Sequence, residues 1–359
     1  MGDSHATRSV LQRCHDLGFA LAGVAPVRAT RYERELRDWL AAGSHGEMQY
    51  LAEHLRERLD PRRIVPGARS ILCVADRYHD GGPEPERSPE QRPRGRVARY
   101  ARGDDYHQVI KKRLHRLADE LAVEFPGETF RACVDTAPVL EREVAQRAGL
   151  GAVGKHTLLI EPGVGSWLLL GELITTLELA PSEPSGEDPC GTCTRCIDAC
   201  PTGAIAPWTV DATRCISYLT IEHRSDIAPD FHEAIGDWIF GCDVCQDVCP
   251  HNQPTGRAAG APVHPAYAPR REGFDLLEVL GWDEQSRRDA FVRSAMKRAK
   301  LAMMKRNAII VAGNVLARRD DPALRQRIEA IAADTDEDLM VRRTARSVLK
   351  NSSGTVDGA

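Results

Sequence analysis

Cys190-Gly-Thr-Cys193-Thr-Arg-Cys196-Ile-Asp-Ala-Cys200-Pro201 is the stretch on which the reading of this chain turns. Its spacing, ending in Cys-Pro, is that of bacterial ferredoxins, in which the fourth cysteine serves a second cluster. A shorter run follows at Cys242-Asp-Val-Cys245-Gln-Asp-Val-Cys249-Pro250, one thiol short, and Cys215, alone between the runs, supplies the missing one. Eight thiolates then fill two 4Fe-4S clusters with none left over. On the crossing rule, cluster one takes Cys190, Cys193, Cys196 and Cys249, and cluster two takes Cys200, Cys215, Cys242 and Cys245. Each run thus needs the other to fold.

Zinc also favours tetrahedral thiolates, but zinc knuckles rarely use a four-cysteine run closed by Cys-Pro. A disulfide framework is weaker still, because no signal peptide precedes the chain and the other three cysteines are scattered. Cys14, Cys73 and Cys133 stand in apolar stretches, where buried, inert thiols are expected.

At 359 residues the chain has room for two or three domains, and 42% hydrophobic with 28% charged residues at net charge −4 describes a soluble globular protein. No apolar run approaches the roughly 20 residues of a membrane span. The opening Met1-Gly-Asp-Ser4 segment leads into neither an apolar signal core nor a twin-arginine pair, so a cytoplasmic location is expected. A reducing compartment suits oxygen-labile clusters.

Three regions separate along the chain. Residues 1–180 read as a mixed α/β domain, with an opening helix through Val10, Leu11, Cys14 and Leu17 that stops at Gly18. Its strand candidates are Ser70–Ala75, Thr129–Val134, Thr157–Ile160 and Trp167–Leu170, and Asp80–Arg96 reads as an exposed loop. Residues 181–255 hold a polar linker, Pro181–Pro189, and a ferredoxin-like module with the two clusters. Residues 256–359 end in helices, where Met304-Lys-Arg-Asn-Ala308 returns as Val341-Arg-Arg-Thr-Ala345, 37 residues on. That interval suggests a short all-α HEAT-like tail.

Local basic stretches stand against the mild acidity. Arg92, Arg94, Arg96, Arg99 and Arg102 crowd one segment, with Lys111, Lys112 and Arg113 beyond it. Arg293, Lys297, Arg298, Lys300, Lys305 and Arg306 lie in a window without an acidic residue. Such runs are usually solvated faces, and two of them raise the case for nucleic acid.

Two segments of the first domain carry chemistry. Cys133-Val-Asp135-Thr136-Ala-Pro138-Val-Leu-Glu141-Arg142 joins a strand end to a helix, with Pro138 suited to the first helical position. Asp135 is either a helix cap or a general acid at the strand's carboxyl edge, and an acid there needs an apolar lid or a neighbouring negative charge to keep its proton. Gly149-Leu-Gly151-Ala-Val-Gly154-Lys155-His156 spells a dinucleotide fingerprint, but it follows a helix and enters a strand, the reverse of that motif's context. Its glycines are read as allowing close backbone approach to a large flat group faced by Lys155 and His156.

Further motifs accompany these: Gly46-Glu47-Met48-Gln-Tyr50-Leu51, Arg58-Leu-Asp60-Pro61, Tyr100-Ala101-Arg-Gly103-Asp-Asp105-Tyr106-His107 and Cys215-Ile216-Ser217-Tyr218-Leu219-Thr220-Ile221-Glu222. With Gly241-Cys242-Asp243 and the cluster spacing, they resemble the epoxyqueuosine reductase family over nearly the full length. These are the cobalamin and iron-sulfur enzymes of the last step of queuosine synthesis in tRNA. The resemblance implies cobalamin in the N-terminal domain beside one cluster, with electrons passed singly to cobalt until Co(I) acts on the epoxide. It implies Asp135 as the proton donor and places Arg58, Ala98, Asp135, Lys155, His156, Ser217 and Asp243 around the corrin. His156, where the family often has Asn, and Ala152-Val153, in place of a Trp-containing pair, depart from the pattern and bear on corrin contacts.

The partners so implied are the anticodon arm of tRNA carrying epoxyqueuosine and a separate electron donor, with no membrane and a monomeric enzyme. The basic window from Arg293 is the expected phosphate contact. Two rivals remain: a cobalamin-dependent reductive dehalogenase, which would ordinarily carry a twin-arginine signal, and a non-catalytic ferredoxin-type electron carrier, which needs neither cobalamin nor Asp135.

Overall fold

The structure, a computed structural model, describes residues 4–82, 84, 92–186, 188–253 and 262–353. The chain opens with α1 (Ser4–Asp16), β1 (Leu21–Pro26), α2 (Glu33–Ala41), α3 (Tyr50–Glu53), α4 (Leu55–Leu59), β2 (Ser70–Arg77) and β3 (Arg94–Val97). It continues through α5 (Tyr106–Glu124), β4 (Phe130–Cys133), α6 (Glu141–Arg147), β5 (Ala152–Val153), β6 (Leu159–Ile160) and β7 (Leu168–Thr175).

The principal sheet has the order β1-β2-β7-β4, and every neighbouring pair is antiparallel. The first region is therefore mixed α and β around an antiparallel sheet, so the rule for carboxyl ends of parallel strands does not account for Asp135. β2 and β7 pair along their whole lengths although α5, β4 and α6 lie between them in the chain, a register that no short-range pattern carries.

β2 is buried throughout because both of its faces are covered. Leu72 and Val74 face Val10, Cys14, Ile110 and Leu114 of α1 and α5, whereas Ile71, Cys73 and Ala75 face Val144 and Ala145 of α6. Each fully buried branched side chain contributes about 1.5–3 kcal/mol, which makes this strand the spine of the domain. The α1 spacing buries Val10 and Cys14, and the helix is followed by Gly18 in the left-handed region (φ 83).

Two boundaries differ from expectation. The helix expected at Pro138 begins at Glu141, because tight bonds from Thr136 N to Val134 O and Val139 N to Ala137 O turn the chain first. The loop expected over residues 80–96 ends in β3; its residues 83 and 85–91 lie outside the described residues.

The middle region comprises α7 (Arg195–Asp198), β8 (Ile205–Ala206), β9 (Thr209–Val210), α8 (Ile216–Ile221), α9 (His232–Ile235), β10 (Trp238–Phe240) and α10 (Val244–Asp247). β11 (Gly273–Asp275), α11 (Leu276–Leu280), α12 (Glu284–Ala290), α13 (Leu301–Leu316), α14 (Pro322–Ala333) and α15 (Leu339–Ser353) follow. β3 is sandwiched between β10, parallel, and β11, antiparallel. One apolar core accordingly joins Val97 and Ala98 to Ile216, Leu219 and Phe240 and to Met304, Ile309 and Val341. The segment 181–186 is stitched to the first region, with Val24 N donating to Ser182 Oγ and Gly151 N to Ser185 Oγ.

The 37-residue return places α15 on the pattern of α13, with α14 between them, and both α13 and α14 pack on α15. The repeated arginines nevertheless do different work. Arg343 is half exposed and pairs with Asp226 at 2.7 Å. Arg306 is fully buried; Nη1 donates to His223 O at 2.8 Å and Ser225 O at 2.5 Å, and Nη2 to Leu219 O at 2.7 Å. Arg306→Met would leave those carbonyls without donors beside α8, so a stability loss of about 3–5 kcal/mol is expected in denaturant titration. A variant within 1 kcal/mol of wild type, on the order of one ordinary hydrogen bond, would refute this role.

Candidate cofactor and catalytic site

The seven cysteines of the two runs and Cys215 fall into two neighbourhoods. Cys249 has Cys190, Cys196 and Cys193 as its charge neighbours. Cys215 and Cys200 adjoin each other, and Cys242 and Cys245 each adjoin Cys215. α7 carries Cys196 and α10 carries Cys245, and the two helices pack together, which brings the runs side by side. Cys245 also adjoins Cys196, so the neighbourhoods are adjacent.

Backbone amides are aimed at these sulfurs. Lys155 N donates to Cys190 Sγ and Ala204 N to Cys200 Sγ, each at 3.3 Å. Cys215 accepts from the amides of Tyr218 and Ser217, and Cys242 from that of Val244. Amide donors of this kind stabilise charged thiolates and are what an iron-sulfur site requires of its surroundings. Among the described residues, no group of three Cys, His, Asp or Glu side chains is placed to hold a single metal ion. Cys14, Cys73 and Cys133 are buried elsewhere, and burial pushes the thiols of Cys14 and Cys133 up to about 12.

Asp135 sits at the turn after β4 in the left-handed region (φ 52), a conformation that disfavours a side chain. Its backbone N donates to Glu141 Oε1 at 2.5 Å, and its Oδ2 lies 3.1 Å from His107 Nε2. His107 is set in the first turn of α5 by Asp105, whose Oδ1 accepts from His107 N at 3.2 Å and lies 2.8 Å from Nδ1. The imidazole is thus held between two carboxylates.

That sandwich decides where the proton rests. Burial pulls the His107 imidazolium down, but the hydrogen bonds to Asp105 and Asp135 and their charges outweigh it, and its pKa rises to about 9. Burial pushes the Asp135 carboxyl up, while His107 by hydrogen bond and charge, then Arg298 and Arg142, draw it net below its ordinary value. Many protein atoms lie near Asp135, yet 49% of its side-chain area stays open, so this balance holds only while water has access. At neutral pH the free protein carries the proton on His107.

A raised His107 pKa stabilises the fold fully below its ordinary value of 6.5, and the contribution is lost as pH rises through about 9. Depression of the Asp135 pKa acts oppositely, stabilising above 3.8 and fading as pH falls below it. The thermal midpoint of His107→Gln should therefore lie below wild type near pH 7, with the gap narrowing as pH passes about 9. A gap independent of pH over that range would contradict the assigned ionisation.

Among the residues expected around the corrin, Arg58 comes up to Asp135. Arg58 on α4 adjoins Tyr50, Glu141 and Asp135, and its Nε is buried without a partner. Ala98 is buried at the end of β3, its N donating to Phe240 O at 2.8 Å. Asp243 is 1% exposed; burial pushes its carboxyl up to about 6 despite Arg99, whose N and Nη1 both donate to Oδ2. Ser217 on α8 lies beside the Cys215 sulfur.

Lys155 Nζ donates to Gly191 O at 2.6 Å and Cys193 O at 3.0 Å, tying the glycine segment to the first cysteine run. His156 is buried, its Nε2 has no partner, and burial with the Arg142 charge pulls it down to about 4. The glycines before them accommodate the chain's own backbone. A Cβ on Gly149 would lie 2.5 Å from Glu183 O, and one on Gly151 2.5 Å from Ile160 O. A Cβ on Gly154, directly before Lys155, would instead meet the Ile160 side chain at 2.5 Å.

Much of the basic sequence proves internal. Arg99 reaches Asp243 and Asp247, Arg102 donates to Val97 O, and Arg113 pairs with buried Asp76. In the later window Lys305 pairs with Glu337 at 2.6 Å and Arg298 with Glu222 at 2.5 Å, and Arg306 is buried as described. Lys297, 59% exposed and 3.8 Å from Asp105, remains on the surface, as do exposed Arg298 and Lys300. Arg293 is exposed and pairs with Asp104.

His107, Glu141 and Arg142 belong to the site by geometry, although the sequence reading assigned them no role. Arg142 has Glu141, Asp135 and Cys245 as charge neighbours, and its Nη1 donates to Thr157 O at 2.9 Å. Their signal was membership in the motifs that carry Asp105 and Asp135.

Comparisons with known proteins give a consistent result. A family model described as epoxyqueuosine reductase QueG, DUF1730, matches residues 58–136, and one described as a 4Fe-4S double cluster binding domain matches residues 189–252. The epoxyqueuosine reductase of Cyclobacterium marinum is 41% identical, over 84% of this chain and 95% of its own length. That of Pseudomonas aeruginosa is 38% identical, over 83% and 82%. Among solved structures, epoxyqueuosine reductase from Bacillus subtilis, with its catalytic aspartate loop swung out of the active site, superposes with a TM-score of 0.85 at 25% identity over 99% and 95% of the two chains. An epoxyqueuosine reductase with a tRNA-Tyr epoxyqueuosine-modified stem loop gives 0.82 at 25% identity, over 97% and 99%. Among the described residues no helix is long and apolar enough to cross a membrane.

Proposed function

The chain belongs to the epoxyqueuosine reductase family, and on that footing we propose that it reduces epoxyqueuosine to queuosine at the tRNA wobble position, with cobalamin, two 4Fe-4S clusters and Asp135 as proton donor. The observation that carries the reading is that Arg142 has Glu141, Asp135 and Cys245 as charge neighbours, so the carboxyl read as the proton donor and a cysteine of the second run share one cation. For this reading the chain divides into a cobalamin-binding region to residue 180, a cluster region to 255 and a HEAT-like tail beyond. The enzyme works as a cytoplasmic monomer supplied by a separate electron donor.

The residues present fit both groups. Two sets of four thiols, met by backbone amides, suit two clusters. The buried, unpartnered Arg58 Nε and His156 Nε2 suit the amide-bearing rim of a corrin, with Ala98, Lys155, Ser217 and Asp243 as its further surroundings. When bound, cobalamin supplies a strongly reducing cobalt centre able to open the epoxide, and the clusters deliver its electrons singly.

The chain's own part is proton delivery and exclusion of water. Loss of the epoxide oxygen as water, leaving an alkene, consumes two electrons and two protons. In the open site the available proton is on His107 Nε2, 3.1 Å from Asp135 Oδ2. A base splayed into the site displaces water, which raises the carboxyl and lowers the imidazole, so the proton passes to Oδ2 and from there to the departing oxygen. His107, restored from solvent, returns Asp135 to its acid form for the second proton.

Phosphates of the anticodon arm meet exposed Lys297 and Lys300, with Arg293 beside them. Lys297→Glu with Lys300→Glu should weaken stem-loop binding and lower the slope of log affinity against log salt by about 2. Binding and slope equal to wild type would move the contact elsewhere.

The reading is tested by anaerobic reconstitution of the full chain with and without cobalamin, followed by reductant and epoxyqueuosine stem loop. Queuosine by nucleoside mass spectrometry only with cobalamin is expected. Conversion independent of cobalamin, or none with clusters and cobalamin both bound, would overturn it.

A further inference from the structure

Glu172 is an acid in the middle of a sheet. It lies on β7 with no exposed area, paired in register with Cys73 of β2 on one side and Cys133 of β4 on the other. Alternation along β7 turns Glu172 to the α6 face, with Ile174, and away from the face of Leu169 and Leu173. Neither carboxylate oxygen has a donor. An ionised carboxylate so enclosed would cost several kcal/mol, so burial alone demands a proton or a cation.

The polar group it meets is another acid, Glu141, at the start of α6. Two carboxylates cannot hydrogen-bond; one shared proton makes the bond. Glu141 in turn accepts the backbone N–H of Asp135 through Oε1 at 2.5 Å. A line therefore runs from the sheet core to the reacting carboxyl's own backbone, and it ends on a residue held at positive φ. Such a turn persists only where its surroundings hold it.

We propose that Glu172 is a positioning residue: as a neutral carboxylic acid it donates to the Glu141 carboxylate, which is thereby fixed to hold the Asp135 N–H and keep that side chain aimed into the site. This rests on the reading of Asp135 as the proton donor. The charges around the pair agree with it. Burial first, and then the Asp135 charge, pushes Glu141 up to about 7, and burial first, then the charge and hydrogen bond of Glu141 and the charge of Asp135, pushes Glu172 well above the ordinary carboxyl value. The sulfurs beside Glu172 are themselves neutral, since burial raises both thiols. Arg142 and His107 draw Glu141 the other way, and Arg147 is the cation that acts on Cys73. The pair accordingly retains a proton at neutral pH while leaving one carboxylate to accept from Asp135.

Two variants separate the proton from the mere filling of space. Glu172→Gln keeps a donor toward Glu141 but removes the titration; Glu172→Met keeps the volume and removes the donor. On anaerobic holoenzyme at pH 7, the infrared difference spectrum of wild type minus Glu172→Gln should show a protonated-carboxyl C=O band in wild type. In single turnover on modified stem loop, Glu172→Met should be at least about tenfold slower than Glu172→Gln, with stem-loop Kd within about twofold, as expected for a loss of alignment and not of binding.

Stability supplies a readout independent of turnover. A raised carboxyl pKa contributes stability that is fully present below its ordinary value of 4.5 and lost as pH rises through its folded value. The thermal midpoint of wild type should therefore fall relative to that of Glu172→Gln as pH is raised from 5 through about 8. Absence of the infrared band, a midpoint difference that ignores pH, or equal rates in the Gln and Met variants would each overturn the proposal. Should Glu172→Met not fold, the infrared and midpoint arms still decide it. A wild type that shows the band and the midpoint shift but makes no queuosine would refute the function while sustaining the buried acid.

Discussion

Replacing Asp135 with Asn is expected to slow queuosine formation by about 10²–10⁴ while cobalamin, both clusters and the stem loop remain bound. Asn is close in shape and its carbonyl can still accept from His107 Nε2, so the 3.1 Å contact and the turn held by Glu141 survive the change. What is removed is the group that hands the proton over. The variant has a second signature, because the Asp135 charge and hydrogen bond help hold the His107 pKa near 9. In Asp135→Asn, His107 should titrate lower than in wild type, as read by the pH dependence of its ring resonances. A variant with a lowered His107 and full activity would keep the electrostatics and remove Asp135 from the reaction.

Cys215→Ala is expected to abolish conversion. Cys215 stands outside both runs, on the turn into α8, and is met by the amides of Tyr218 and Ser217. Without it the second set has three thiols, and iron per chain should fall from about eight to about four as a cubane loses a corner ligand. The set left one thiol short is the one whose Cys245 is a charge neighbour of Arg142. Cys133→Ala is the matched control, a buried thiol on β4 outside both thiol sets, and should keep about eight irons. Full iron in Cys215→Ala would mean that another residue supplies the fourth ligand.

The two examples show what the sequence carries and what it does not. Cysteine runs are short-range patterns, so seven of the eight residues can be read from spacing, and Cys215 by counting. Asp135 can be read as a strand-end carboxyl, but its ionisation cannot, because that depends on His107, which α5 brings to it from an earlier segment. The antiparallel order β1-β2-β7-β4 was hidden because pairing of β2 with β7 spans most of the first region. Charge misled in the opposite sense: Arg99, Arg102 and Arg306 read as surface and are buried, since a guanidinium finds its carbonyls and carboxylates only once distant segments meet. Glu172 left a trace that could have been followed, a lone acid in the apolar run Leu168-Leu-Leu-Gly-Glu172-Leu-Ile174. A charge at such a place implies a partner or a proton.

On this mechanism, electrons held by this chain leave as an alkene in tRNA. The most direct test is to titrate fully reduced, cobalamin-loaded enzyme, free of excess reductant, with less than one equivalent of epoxyqueuosine stem loop, and to count queuosine against electrons withdrawn. One queuosine for each two electrons lost is expected. Electrons lost without queuosine, or queuosine formed with the cofactors still fully reduced, would contradict it.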